Sequence, residues 1–224
     1  MGHPTDDVRA AAETLRAGGV VAFPTETVYG LGADALNESA IERVFALKGR
    51  PKNNPMIVHA ADEAMARTVV ASWPERAARL GDRFWPGPLT LVLEKADGVP
   101  TLVTAGHRTV GVRCPDHPIA LALIRAFGGP IVGPSANPSG RISPTTADHV
   151  RAGFPDAALT VLDGGPCRAG IESTVLSLSH PSARILRPGA LSREDLEAAL
   201  GASVELVAAG PVPPLAHRRP TQPR

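Results

Sequence analysis

Cysteine is scarce in this 224-residue chain. There are two, Cys114 and Cys167, far apart and outside any C-x-x-C spacing. That argues against a disulfide framework and a cysteine zinc site, and a reducing cytoplasm is the expected setting. Lysine is scarce too: Lys48, Lys52 and Lys95 are three among 23 basic residues. Arginine supplies generic positive charge here, so a lysine is marked for chemistry of its own. Aromatic residues make up 4%, with one tyrosine and two tryptophans, too few for a platform on which RNA bases stack. The chain shows no apolar run long enough to span a membrane. The N-terminal stretch MGHPTDDVRA has no charged segment followed by an apolar core, and Asp6 stands where a myristoylation signal needs Ser or Thr. Neither a secretory signal nor a lipid anchor is expected. The net charge of +1 supplies no global field for nucleic acid, so any basic surface is local.

What is present reads as a folded α/β chain. Hydrophobic residues are 43% and charged residues 20%, which excludes disorder and a coiled coil. Glycine and proline total 45, without a period, and mark many tight loops. Apolar spacing predicts helices over 6–17 (capped by Thr5 or Asp6 and stopped at Gly18–Gly19), 37–48, 62–71, 75–83, 117–127, 145–152 and 192–200. Strands are expected at 20–23, 56–59, 89–93, 109–113, 130–133, 160–162 and 174–178. The alternation implies an α/β domain with a mixed sheet. The stretch PTETVYGLGAD reads as a loop off a strand end. The last 14 residues carry five prolines and three arginines. They are expected to be extended or disordered, which leaves 1–207 as the catalytic domain and 208–224 as a tail.

Familiar catalytic motifs are missing. No G-x-x-x-x-G-K-[ST] and no H-E-x-x-H occurs, Gly30-Leu31-Gly32 lacks the third glycine of a dinucleotide turn, and Asn137 stands where a nucleophile elbow around Ser135 needs glycine. Four polar, glycine- and proline-broken segments remain: 24–32, 48–55, 133–145 and 163–175. In KGRPKNNP, Lys48, Arg50 and Lys52 with Asn53 and Asn54 suit a polyanion such as a triphosphate, or merely complement a helix C-terminus. GPSANPSGRISPT is either an anion-binding nest or an ordinary turn cluster. Arg113 and Arg187 each end a strand, placed to grip a carboxylate or phosphate, or to form a surface ion pair. His59 closes a strand as a ligand-facing or a hydrogen-bonded core histidine. Glu172-Ser173-Thr174 could equally be a strand start, and the remaining histidines read as solvated surface. Together these segments describe a site rich in neutral donors and arginines, with few carboxylates and no nucleophilic triad. That suits binding an anionic nucleotide and a small zwitterion.

The segments PTETVYGLGADA, KGRPKNNPMIVH, FWPGPLTLVL, TVGVRCPDHP, GPSANPSGRISPT and DGGPCRAGIESTVL resemble, in order, the YrdC-like family of threonylcarbamoyl-AMP synthases over roughly residues 8–200. The family's K-x-R (48–50) and S-x-N (135–137) pair is intact. The resemblance implies a twisted, open α/β sheet with a concave, positively charged face. It implies an enzyme that converts L-threonine, bicarbonate and ATP to threonylcarbamoyl-adenylate and pyrophosphate, with Mg2+ accompanying ATP, for modification of tRNA by a partner complex. It places threonine against Thr27, His59, Arg113, Ser135 and Ser173. It places ATP against Arg50, Asn54, Thr109, Asn137, Thr145 and Arg187, with Lys48 and Lys52 near the phosphates. Lys48, Arg50, Ser135 and Asn137 are the expected catalytic set, and the metal ligands are not implied. Few residues follow position 200, so the likeness is to the short form, without the second, C-terminal domain of longer members. The competing readings are an RNA-binding factor acting on tRNA or ribosomes without adenylation chemistry, and a paralogue that makes another carbamoyl-adenylate.

Overall fold

The computed structural model describes residues 4–207; the tail expected over 208–224 lies outside the described residues. A ten-stranded mixed sheet organises them. Its strands are β1 (Val21–Phe23), β2 (Gly30–Asp34), β3 (Ile57–His59), β4 (Leu89–Glu94), β5 (Thr109–Arg113), β6 (Ile131–Val132), β7 (Thr160–Val161), β8 (Thr174–Ser177), β9 (Ala183–Arg187) and β10 (Val204–Leu206). The spatial order is β10-β9-β8-β4-β5-β3-β6-β2-β1-β7. Parallel pairs (β3 with β5, β4 with β8) alternate with antiparallel ones (β4 with β5, β3 with β6), so the expected mixed sheet is present. The helices are α1 (Pro4–Arg16), α2 (Glu38–Lys48), α3 (Glu63–Arg67), α4 (Glu75–Phe84), α5 (Pro118–Phe127), α6 (Ala147–Gly153) and α7 (Arg193–Leu200).

Local rules explain most boundaries. Asn37 caps α2 by accepting from the Ala40 amide, and Gly49, at φ 60°, ends that helix in the left-handed conformation glycine tolerates. α1 starts at Pro4, ahead of the expected cap, and stops at Arg16, before Gly18. Three expectations are corrected. Residues 30–34, read as loop, are strand β2, because Leu31 and Ala33 are completely buried between neighbours. The helix expected over 62–71 is only the short α3. Strand β10 was not anticipated, and β9 only as the strand that Arg187 ends; each is short and has exposed residues, so neither shows clean alternation.

The sheet is buried differently on its two faces. Val58, Leu91, Val112 and Leu176 lie in cross-strand register and join the large core cluster. A second cluster packs Val8, Ala11, Ala12 and Leu15 of α1 against Ala120, Leu123 and Ile124 of α5, over Phe23 and Ile131. The alternate residues of the four central strands do not enter the large cluster. Ile57, Val92 and Gly111 are registered neighbours, as are Thr90 and Val175, and all five line an open cavity. A period of two thus sends Val58, Leu91, Val112 and Leu176 to one face, and Ile57, Thr90, Val92, Gly111 and Val175, with the charged and polar ends of the strands, to the other.

Candidate active site

The cavity has a volume of about 550 Å³. It gathers Thr27, Arg50, Asn54, His59, Thr109, Arg113, Ser135, Ser173 and Arg187 from six stretches of chain, nine of the residues singled out from sequence. Backbone hydrogen bonds bring the four polar segments together. Tyr29 N donates to Pro144 O, Leu31 N to Pro134 O and Ala136 N to Tyr29 O, which lays 24–32 against 133–145. Ser139 N donates to Lys48 O, Cys167 N to Thr145 O, and Ala169 N to Glu26 O, which ties in the other two segments. Thr25 Oγ1 accepts from the amides of Thr27 and Val28 and so folds the turn that presents Thr27.

Four sequence-selected residues do not line the cavity. Lys52 is exposed, and its ammonium lies 3.7 Å from Glu42 of α2. Lys48 is buried, and its Nζ donates to Ser135 O and, at 2.5 Å, to Asn137 O. Its position at the last turn of α2 places it beneath the Ser135–Asn137 loop, where it joins the K-x-R and S-x-N pair physically. Burial, and then the nearby Arg50, pull its pKa down to about 8. The Asn137 amide donates to Pro138 O at 3.0 Å and Arg141 O at 2.7 Å, and so shapes its own loop. Thr145 Oγ1 lies 3.3 Å from His149 Nδ1, on the outer side of that loop. Lys48 and Asn137 brace the wall from behind; the nine others line the cavity.

The three arginines of the cavity are held in different ways. Arg50 donates from Nε to Asn54 O at 3.1 Å and from Nη2 to Pro55 O at 2.7 Å, which fixes its guanidinium by the loop it belongs to. Arg113 donates from Nε to Gly87 O at 3.2 Å and sets Nη2 2.7 Å from Glu26 Oε2. Both side chains of that pair are 5% exposed. Arg187 donates from Nη2 to Ser173 O at 2.9 Å and to Ser173 Oγ at 3.1 Å, and its Nη1 pairs with Glu172. Ser173 Oγ also meets Thr90 Oγ1 at 2.8 Å.

His59 is the core-facing alternative and the ligand-facing one at once. Its ring packs edge-on to Phe23 at 5.6 Å, and Nδ1 is buried with no partner, yet the residue lines the cavity. Gly133 must be glycine, because a Cβ there would lie 2.4 Å from His59 Nδ1. Desolvation, then the Arg113 charge, depress the His59 pKa to about 3, so the imidazole is neutral at physiological pH. Below the unfolded value of about 6.5 the unfolded chain binds a proton that the folded chain refuses, and stability falls with pH down to the folded value. His59→Gln should therefore lose less stability than the parent on acidification. The difference between the two denaturation curves should change by about 2 kcal/mol between pH 6 and pH 4; parallel curves would contradict a neutral buried imidazole.

Glu26, Thr90, His107 and Glu172 belong to the site and were not selected from sequence as site residues. Thr90 was accessible, since it sits one step out of phase with Leu89 and Leu91 on β4. His107, read as solvated surface, lines the cavity beside Thr109; its loop position gave no signal. Glu26 and Glu172 are ordinary carboxylates until the fold brings arginines from 87 and 15 residues away. Among the described residues no group of three or more His, Cys, Asp or Glu side chains is placed to hold a metal ion.

The family model described as telomere recombination, named for Sua5, YciO and YrdC, matches residues 13–189. A threonylcarbamoyl-AMP synthase of Bacillus subtilis is 50% identical over 195 residues, covering 87% of this chain and 56% of the relative. The relative of that name in Methylococcus capsulatus is 41% identical over 160 residues, 70% of this chain and 84% of its own. The crystal structure of Pyrococcus abyssi Sua5 complexed with L-threonine superposes with a TM-score of 0.86 at 49% identity, covering 88% of this chain and 58% of that one. The chain thus spans somewhat over half the length of the Bacillus and Pyrococcus proteins. With a family match over most of its length, the chain belongs to the Sua5/YciO/YrdC family.

Proposed function

We infer that this protein is an L-threonylcarbamoyladenylate synthase: it joins L-threonine, bicarbonate and ATP into threonylcarbamoyl-AMP, releasing pyrophosphate and water. The observation that carries this reading is the convergence in one cavity of Arg50, Arg113 and Arg187 with the hydroxyls of Thr27, Thr109, Ser135 and Ser173. Three cations among neutral donors suit two anionic substrates, and membership of the family supports the specific pair. Arg113 is the partner for the threonine carboxylate. Thr109, four residues away on the same strand and so ~13 Å distant, belongs with Arg50, Asn54 and Arg187 to the nucleotide.

The chemistry asks for positioning. The neutral amine of threonine attacks the carbon of bicarbonate, a C–N bond forms as the carbon–hydroxyl bond breaks, and the hydroxide leaves with an amine proton as water. With CO2, formed from bicarbonate by loss of that same water, a C=O π bond opens and the amine proton passes to solvent. Either route gives the N-carboxylate, a carbamate. A carbamate oxygen then attacks the α-phosphorus in line, and the bond to the β,γ-pyrophosphate breaks. The residues of the cavity align two anions that repel each other and shield the carbamate from water. Glu172 is the cavity-lining carboxylate among the described residues, and this donor set fits magnesium held mostly by phosphate oxygens and water rather than by a protein cage. When bound with ATP, magnesium would neutralise phosphate charge. Among the described residues no helix is long and apolar enough to cross a membrane. We place the protein in the cytoplasm, passing its adenylate to a tRNA-modifying complex.

The test is pyrophosphate release by the full chain with ATP, bicarbonate and each amino acid in turn. Threonine should give the highest rate, and equal rates with all amino acids would refute the reading. Arg50→Ala should lower the threonine-dependent rate about 100-fold or more. Its melting temperature should stay close to the parent's, because Arg50 hydrogen-bonds only its own loop. Parental turnover would remove Arg50 from the phosphate subsite. RNA bound in a salt-sensitive way without any pyrophosphate release would instead favour an RNA-binding factor.

A further inference from the structure

Two arginines of the cavity are each paired with a glutamate, and the pairs differ in burial. The side chains of Arg113 and Glu26 are each 5% exposed; those of Arg187 and Glu172 are 39% and 37% exposed. A deeply buried pair cannot trade its partner for a ligand without stranding a charge. A half-exposed pair is worth little in water and can be exchanged. The arrangement around Arg187 is built for such an exchange. Its Nε and Nη2 are held by Ser173, so only Nη1 rests on Glu172. Removing that contact frees one donor without unseating the guanidinium. On the other side, Glu172 Oε1 accepts from Ser143 Oγ at 3.1 Å, which keeps the carboxylate against the arginine.

We propose that Glu172 is the internal counter-anion of the phosphate subsite and sets its selectivity. In the unliganded protein its carboxylate occupies, on Arg187 Nη1, the place a phosphate oxygen takes when the nucleotide binds, and it turns aside as the nucleotide enters. This rests on the reading of the cavity as a nucleotide site. A ligand must bring enough charge to displace the carboxylate, which disfavours small stray anions. Pyrophosphate, once cut from the α-phosphorus, has to compete with the returning carboxylate, so Glu172 speeds its departure.

Glu172→Gln keeps the shape of the side chain and its acceptor for Ser143. Ser143→Ala removes the hydroxyl that steadies Glu172 and changes no charge. Each full-length protein is titrated calorimetrically with inorganic pyrophosphate and with a non-hydrolysable ATP analogue, in excess chelator. Glu172→Gln should bind both ligands about threefold to fivefold more tightly than the parent, and Ser143→Ala about twofold more tightly. Tightening in Glu172→Gln with none in Ser143→Ala would mean diffuse repulsion and overturn the exchange; unchanged or weaker binding in Glu172→Gln would overturn it as well. Thermal melts of the unliganded variants check that both are folded. A parent protein that binds neither ligand defeats the nucleotide reading and this proposal with it. A parent that binds both, without tightening in the variants, defeats this proposal alone.

Discussion

Replacing Lys48 with methionine is expected to cut threonine-dependent pyrophosphate release by two orders of magnitude or more and to lower the melting temperature. The reason is placement. Lys48 is 3% exposed and spends its ammonium on the carbonyls of Ser135 and Asn137. Methionine fills the same volume and donates nothing. The Asn137 carbonyl is then left without a partner, at about 1–3 kcal/mol, and the Ser135 carbonyl keeps only the Asn137 amide, at 3.0 Å. The loop that presents Ser135 to the cavity loses its anchor, and a shift of ~1 Å in a positioning group costs on the order of 100-fold in rate. In sequence, Lys48 and Arg50 are neighbouring cations of one K-x-R segment. The structure separates them: Arg50→Ala should be inactive and stable, Lys48→Met inactive and less stable. Parental activity in Lys48→Met would show that the loop holds without its ammonium. The depressed pKa adds a sign. Below about pH 8 the folded chain carries the full cost of a buried charge. That cost is relieved as pH rises toward the ordinary lysine value, so this group makes the protein more stable with rising pH across that window.

The second large effect is expected at Arg113. Arg113→Ala should abolish the response to threonine and also cost about 3–5 kcal/mol of stability, since Glu26 would be left charged and buried. Its Oε2 would keep only the Asp116 amide, at 3.1 Å, and its Oε1 already lacks a partner. The double replacement Glu26→Gln with Arg113→Met separates the two roles. It removes both charges, so most of the stability should return while threonine binding stays lost. Urea denaturation of the three proteins and calorimetric titration with threonine measure the two effects. A single Arg113→Ala variant as stable as the parent would show that Glu26 finds another partner. A double variant that binds threonine would remove Arg113 from the carboxylate site.

The residues that reach into the cavity were largely legible, because strand ends and glycine-broken loops in an α/β chain carry ligands. Arg113, His59 and Arg187 stood out at strand ends, and Ser135 and Ser173 in polar loops. Residues that act on other residues were not legible. Glu26 and Glu172 carry no local pattern, and Lys48, although singled out, gave no sign that it would be buried on the carbonyls of another loop. Lys52, four residues from Lys48, looked equivalent in sequence and lies on the surface against Glu42. No rule of spacing separates them, because the difference is whether a loop from residue 135 packs above the side chain.

Strand β2 and the edge strands β9 and β10 show the same division. GLGAD has a glycine pattern typical of a turn; it is a strand because β1 and β6 supply both sets of partners. Periodicity, caps and turn residues settled the α/β class, most helices and the central strands, since these depend on neighbours within a few positions. Tertiary structure alone decided which charges are buried, which arginine is locked and which can exchange, and which lysine is part of the wall. Burial and charge pairing are set by residues tens of positions apart along the chain, and their energies follow distance in space.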